Sequence, residues 1–386
     1  MSNETFKPGL ESLRGLAALG VAWTHGNMVF DLTSPVHYPV LGQIREALFL
    51  GLPAGASVVL FFALSGYVLG LALIRDNSYP KFVVRRLFRI FPALWLGVAL
   101  TFIAEYLLAS YLTKDDFHPH FQYSFLNGPT LADFFRNMVL AKVNIDLVIW
   151  SLIPEVIWSL ALPAAAYIHF RTDLIGRLAL LATITIAGHY SDQTYIQFAA
   201  AFYAGFFVPR EILSPLLTRP ILAMATALTG WAALCLGNHY GIAYTPAMRE
   251  TCAIGAVLIV SGVAAAPIKI LYAAPLRFLG RVSYSFYLLH QPTLFLLAVA
   301  IMYFDAKPDS LPGTMTLATA SICIAIGLAW LSHRFVELPG FALGNRLISR
   351  WRSVRGRELA GVLSEKSADV APQGQRIRLV GPEIGK

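Results

Sequence analysis

The sequence predicts an all-α, polytopic membrane protein with about ten transmembrane helices and both termini in the cytoplasm. Three observations carry that expectation. The 386 residues are 56% hydrophobic and 13% charged, roughly half the charged fraction of a soluble domain, and the mean hydropathy is +0.61. Apolar runs of about 20 residues, the length that crosses a bilayer, recur along the chain. The basic residues segregate between alternate connections. Of the 30 Lys and Arg residues, only Arg45, Lys114, Arg136, Lys142, Arg249 and Lys307 fall on one side, and the other 24 fall with the termini and even-numbered loops. A net charge of +8 would suggest nucleic acid in a soluble chain. Here its distribution is that of a membrane protein, and no nucleic-acid partner is expected.

The expected spans are 12–31, 52–74, 87–112, 148–169, 174–190, 194–210, 219–237, 247–267, 282–304 and 312–335. Residues 1–344 form one membrane domain, and 345–386 form a basic, disordered cytoplasmic tail that opens with RLISRWRSVRGR. The Met1–Leu10 leader is short and polar, and no A-x-A-like site follows the first span, so that span reads as a retained helix rather than a cleaved signal peptide. The first span carries Arg14 and His25, eleven residues apart. At about 100° per residue they share one helix face, roughly 16 Å apart along the axis. Ionisable side chains in hydrocarbon are costly and usually face a cavity or partner, although snorkelling of Arg14 and a hydrogen bond from His25 to a neighbouring helix would also account for them.

The second span holds Ser65 and Tyr67. The third opens with Arg85, Arg86 and Arg89 in VVRRLFRIFPALW, where i+3 and i+4 spacing lets the guanidinium groups converge on phosphate. Taken alone, those arginines also fit simple membrane anchoring. The long outer connection 113–147 contains His118 and His120. An aromatic, polar surface for an acceptor suits it better than a metal site, and no metal is expected. In the fourth span, Glu155 lies seven residues in, at the depth computed for His25, about 10 Å below the outer edge. That predicts an imidazole–carboxylate couple; a protonated, packed carboxyl is the plainer alternative. The fifth and sixth spans have a short connection. The three cysteines, Cys235, Cys252 and Cys323, lie in apolar runs without a metal-ligand spacing and read as core residues. In the ninth span Ser283, Tyr287 and His290 recur at i, i+4, i+7 on one face, a pattern that interhelical hydrogen bonding also produces. Arg334 and Glu337 close the tenth span and read as structural. Together these groups suggest a polar track from a cationic mouth to chemistry near the outer face.

The ordered set LRGLA (13–17) with His25, FFALSGYVL (61–69), RRLFRIFPALW (85–95), Trp150-Ser151-Leu152 with Glu155, LGRVSYSFYLLHQP (279–292) and HRFVELP (333–339) resembles acyltransferase family 3 of integral membrane proteins. The resemblance implies a ten-helix O-acyltransferase in the cytoplasmic (inner) membrane of a bacterium. It would take an acyl group, commonly acetyl, from cytoplasmic acyl-CoA as co-substrate, with no bound cofactor. The acceptor would be a hydroxyl of a cell-surface or exported glycan at the outer face. It ties activity to Arg14, His25, Arg86 and Arg89, and extends to Arg85 and Glu155. Some relatives append a soluble hydrolase-like domain, where this chain has only its basic tail. A proton-coupled transporter or exporter of a polar solute, with His25 and Glu155 as the relay, is the alternative from another class, but no internal repeat supports it.

Overall fold

The computed structural model describes residues 7–29, 38–75, 78–108, 129–239, 245–304, 308 and 310–351. Among these the chain is entirely helical. Its helices are α1 (Pro8–Met28), α2 (Pro39–Gly51), α3 (Ala54–Arg75), α4 (Tyr79–Leu108), α5 (Leu131–Met138), α6 (Leu152–His169), α7 (Leu174–Tyr190), α8 (Ala199–Phe207), α9 (Pro220–His239), α10 (Pro246–Ala265), α11 (Ala274–Tyr303) and α12 (Leu311–Ser332). Helix continues over 338–351 after a π-helical turn, His333–Glu337. The described parts of the ten expected spans fall largely on helix, but seven segments among the described residues are long and apolar enough to cross a membrane: Pro39–Arg75, Tyr79–Leu107, Leu147–His169, Pro220–His239, Pro246–Ala265, Ala274–Tyr303 and Leu311–Trp351. The other expected spans fare differently. α1 carries Glu11, Arg14 and His25, α7 has 17 residues, and the stretch around α8 is broken between a short turn (Thr194–Gln197) and a π-helical turn (Val208–Leu213). The residues around His118 and His120, and the tail beyond 351, lie outside the described residues.

α1 lies in the centre of the bundle. It packs most extensively on α11 and also on α3 and α12. Small residues permit the closest approach: a Cβ on Gly15 would sit 2.7 Å from the Gly280 amide nitrogen, and one on Gly280 would collide with the Glu11 carbonyl. Without a hydrophobic drive between helices in lipid, such backbone contact supplies the packing energy. The two helices run in the same direction, because Glu11 and Gly15 meet Gly280 at one end and His25 meets His290 further along. α4 runs the same way beside α11, with Ile90 against Tyr284 and Gly97 against Leu288.

Two features depart from the expectations. Cys323 is exposed on the outside of the bundle, unlike the buried Cys235 and Cys252. More consequentially, the stretch before α6 does not start at the surface of the bundle. Asp146 is fully buried and caps a 3-10 turn (Leu147–Ser151) through the Val148 amide. The Val148 carbonyl accepts from the Tyr287 hydroxyl at 3.0 Å, in the middle of α11. Non-helical backbone at such depth is tolerated where protein surrounds it. Before it, Asn137 and Asn144 bond each other, and Lys142 donates to Asp133 at 2.8 Å. Lys142 and the Thr130 hydroxyl hold the Asp133 carboxyl below the usual range. At the far end of α6, Glu211 gathers His169 Nε2 (2.9 Å), Arg177 (2.8 Å) and Arg210 (2.6 Å), tying α6, α7 and the π-helical turn together.

Candidate active site

The site is built from α1, α3, α4, α6 and α11. Arg86, on α4, donates to Glu155 at 2.9 Å and to the Ser159 hydroxyl at 2.7 Å. Ser65, on α3, donates to the same carboxylate at 3.3 Å. Ser159 lies one turn beyond Glu155, so the 3.6-residue repeat could have identified it. Arg14 shares a small cavity with Ser151, Glu155, Ser283, Tyr284 and Tyr287. Its charge is opposed by Glu155 and Glu337 and accompanied by Arg86 and Arg89. Arg14 of α1 and Arg86 and Arg89 of α4 therefore share one region. Tyr67 is buried on α3.

Above the arginines, Tyr287 connects two parts of the site. Its hydroxyl lies 2.9 Å from Ser151 Oγ. Its carbonyl lies 2.6 Å from His290 Nδ1. His290 Nε2 is then 3.0 Å from His25 Nδ1, and the two rings stack with centroids 5.2 Å apart. Ser283, Tyr287 and His290 thus share a face as their spacing required. Tyr284 lines the Arg14 cavity and donates to the Ile90 carbonyl, and Ser285 donates to Glu337, which also pairs with His333. Glu337 is thereby held by His333 and Ser285.

The predicted couple between His25 and Glu155 is not formed. Ser151 is level with Tyr287, and from there α6 descends while α11 climbs. Glu155 is one turn below that level, beside Arg86, and His290 with His25 is one turn above it. The separation is about two turns, roughly 10 Å. The depth of Glu155 was misplaced because it was counted from an outer-surface start at residue 148, whereas the chain has already plunged into the bundle by Asp146. His25 instead meets a second histidine, His290.

Arginines at one end, hydroxyls next and paired imidazoles beyond lie in succession through an apolar bundle, the first two groups meeting at the cavity lined by Arg14, Glu155, Ser151 and Tyr287. The acyltransferase domain family matches residues 7–334, nearly all of the chain that builds this succession. The chain belongs to that acyltransferase family. It is also similar to an O-acetyl transferase of Shigella phage Sf6, 28% identical over 170 residues that make up 42% of this chain and 50% of that protein. The chain thus spans about half the length of this curated relative. No solved structure matches it. Within this acyltransferase, sequence reasoning quoted Ser151 only as part of a motif, without a role of its own, and overlooked Ser159 and the buried Asp146. Asp146 had a visible signal, a lone carboxylate in the apolar run NIDLVIW.

Proposed function

We propose that this acyltransferase is an integral membrane O-acyltransferase of a bacterial inner membrane, and specifically an O-acetyltransferase. It moves an acetyl group from cytoplasmic acetyl-CoA to a hydroxyl of a cell-surface or exported glycan at the outer face. The observation that supports this reading is the succession of polar groups from Arg14, Arg86 and Glu155, past Ser151 and Tyr287 on the same cavity, to His290 and His25, in a chain of acyltransferase ancestry. Both termini are cytoplasmic in this reading, and all ten helical segments belong to the membrane domain.

Guanidinium groups match phosphate oxygens in charge and geometry, so Arg14, Arg86 and Arg89 receive the phosphates of the donor. The pantetheine arm follows the track, which places the thioester near His25. His25 takes the proton of the acceptor hydroxyl as its oxygen attacks the thioester carbonyl. The C–O bond forms, the C–S bond breaks, and the proton passes to the departing thiolate. Glu155 acts here by holding Arg86 in place and not by touching His25.

The test uses inverted membrane vesicles supplied with radiolabelled acetyl-CoA. Free thiol should appear in step with label in the envelope glycans, and His25→Ala should abolish both while the protein remains folded in the membrane. Arg86→Ala and Arg89→Ala should raise the KM for acetyl-CoA. Label transfer that survives His25→Ala overturns the mechanism. Solute movement with no thiol release would identify a proton-coupled transporter instead. Mass spectrometry of envelope glycans from cells with and without the protein names the acceptor.

A further inference from the structure

A second cavity lies against another face of α1 and shares no lining residue with the cavity at Arg14. Its volume is about 390 Å³, within the range of roughly 300–1,000 Å³ that holds a small ligand. Leu13, Leu16 and Ala17, at i, i+3 and i+4 on α1, form its floor. α3 supplies one wall, and α9 and α10 supply the other. Ser57 and Trp231 contribute the polar side-chain atoms of the lining. Along α9 the lining runs from Met224 to Leu234, about 15 Å of helix. That is half of a hydrocarbon core about 30 Å thick, the depth of a single leaflet.

The two ends of the cavity differ. One closes at Gly51–Pro53, the joint between α2 and α3. There Leu52 packs on Gly20 in the middle of α1, and the Trp231 indole N–H donates to the Gly51 carbonyl at 3.2 Å. The other end is bounded by Ile268, Ile270 and Leu271, around the turn Lys269–Tyr272. Cations stand at this end. Lys269 is exposed between two of those lining residues. Lys7 donates to the Ala264 carbonyl, next to Val263 of the lining. Arg219 is exposed just before α9. Glu11, in the first turn of α1, packs instead on Gly280 among Arg14, Arg277 and Arg281.

We propose that this cavity is a lipid site: one acyl chain of an anionic glycerophospholipid from the cytoplasmic leaflet fills it, with the headgroup phosphate at Lys7 and Lys269. Three features select that occupant. The apolar lining suits a hydrocarbon chain and not a polar solute. The cavity is one leaflet deep, closed at mid-membrane and open toward the headgroups. Its mouth is cationic, and basic residues at a membrane surface attract anionic lipid. The lipid chain lies on the apolar stripe beside Arg14, so it braces the turn of α1 that carries that arginine. The occupant follows from the cavity itself, and the leaflet rests on the orientation proposed above.

Native mass spectrometry tests the site on the full chain, delipidated in detergent and titrated with phosphatidylglycerol or phosphatidylcholine of equal chain length. The wild type should hold one phosphatidylglycerol per chain, about tenfold or more tighter than phosphatidylcholine, because each lysine at an anionic headgroup counts for about fivefold. Lys7→Gln with Lys269→Gln should remove that preference. Leu16→Trp, which fills the cavity and keeps both lysines, should abolish the tight adduct. Phosphatidylglycerol should raise the thermal midpoint of the wild type and not of Leu16→Trp. Equal affinity for the two lipids overturns the proposal, as does a Leu16→Trp variant that retains phosphatidylglycerol like the wild type. A tightly held polyprenyl phosphate, or a lipid-free dimer, in place of the phospholipid also overturns it. If Leu16→Trp does not fold, the wild-type preference and the lysine variant still decide. Binding is read without acetyl-CoA, so loss of the lipid site and failure of the acyl-transfer reading are separate results. In a cysteine-free background, a Lys269→Cys variant that reacts with an impermeant maleimide in intact spheroplasts would overturn the leaflet assignment.

Discussion

At the scale of the residue, burial decides what each charge must find. Arg86 and Glu155 have side chains 11% and 17% exposed and meet at 2.9 Å. Removing one partner from such a pair leaves an uncompensated buried charge, at a cost of about 3–5 kcal/mol, whereas replacing both with apolar residues is close to neutral. Glu155→Ala should therefore lower the thermal midpoint strongly, and Arg86→Met with Glu155→Leu should restore it while acetyl transfer stays lost. A double variant as unstable as the single one would show that the ion pair is not what Glu155 supplies. Arg14, His25, Arg86 and Glu155 were legible in the sequence because an ionisable group in an apolar run stands out. Their partners were not legible, since pairing depends on which helices are adjacent and at what height. The carboxylate expected beside His25 went to Arg86, and a histidine took its place.

At the scale of the element, helical periodicity was reliable where a helix is continuous. Ser283, Tyr287 and His290 fall on one face of α11 as their spacing required, and Arg14 and His25 both turn toward the site. Periodicity failed where the chain is not helical. The stretch ending at Ser151 enters the bundle as irregular backbone, and counting depth from an assumed surface start displaced Glu155 by about two turns. The α1–α11 crossing gives a further test. Gly280→Ala drives a methyl group into the Glu11 carbonyl, whereas a Cβ on Gly327 meets nothing within 4 Å. Ordinarily Gly→Ala in a helix is stabilising by about 0.4–1 kcal/mol through the unfolded chain, and overpacking costs about 1–3 kcal/mol. Gly280→Ala should thus lower the thermal midpoint and Gly327→Ala should hold or raise it. Equal shifts in the two variants would remove the close crossing as the basis of α1 placement.

At the scale of the whole molecule, orientation and chemistry are linked in the proposed reaction, which takes acetyl-CoA and the glycan from opposite sides. In a background lacking Cys235, Cys252 and Cys323, Leu131→Cys should react with an impermeant maleimide in spheroplasts, and Arg350→Cys only after permeabilisation. The reverse pattern would invert the proposed direction of transfer. Composition and hydropathy by themselves determined a helical membrane protein, because apolar length is a local property that any window of the chain displays. The ordered motifs determined its family, and single residue types marked the groups to which the proposal assigns the chemistry. Only the tertiary structure decided that Glu155 serves Arg86, that His25 is matched with His290, and that residues before α6 lie deep in the bundle. Those outcomes depend on helix adjacency and relative height, which residues distant in sequence set jointly through close contacts such as Gly15 with Gly280.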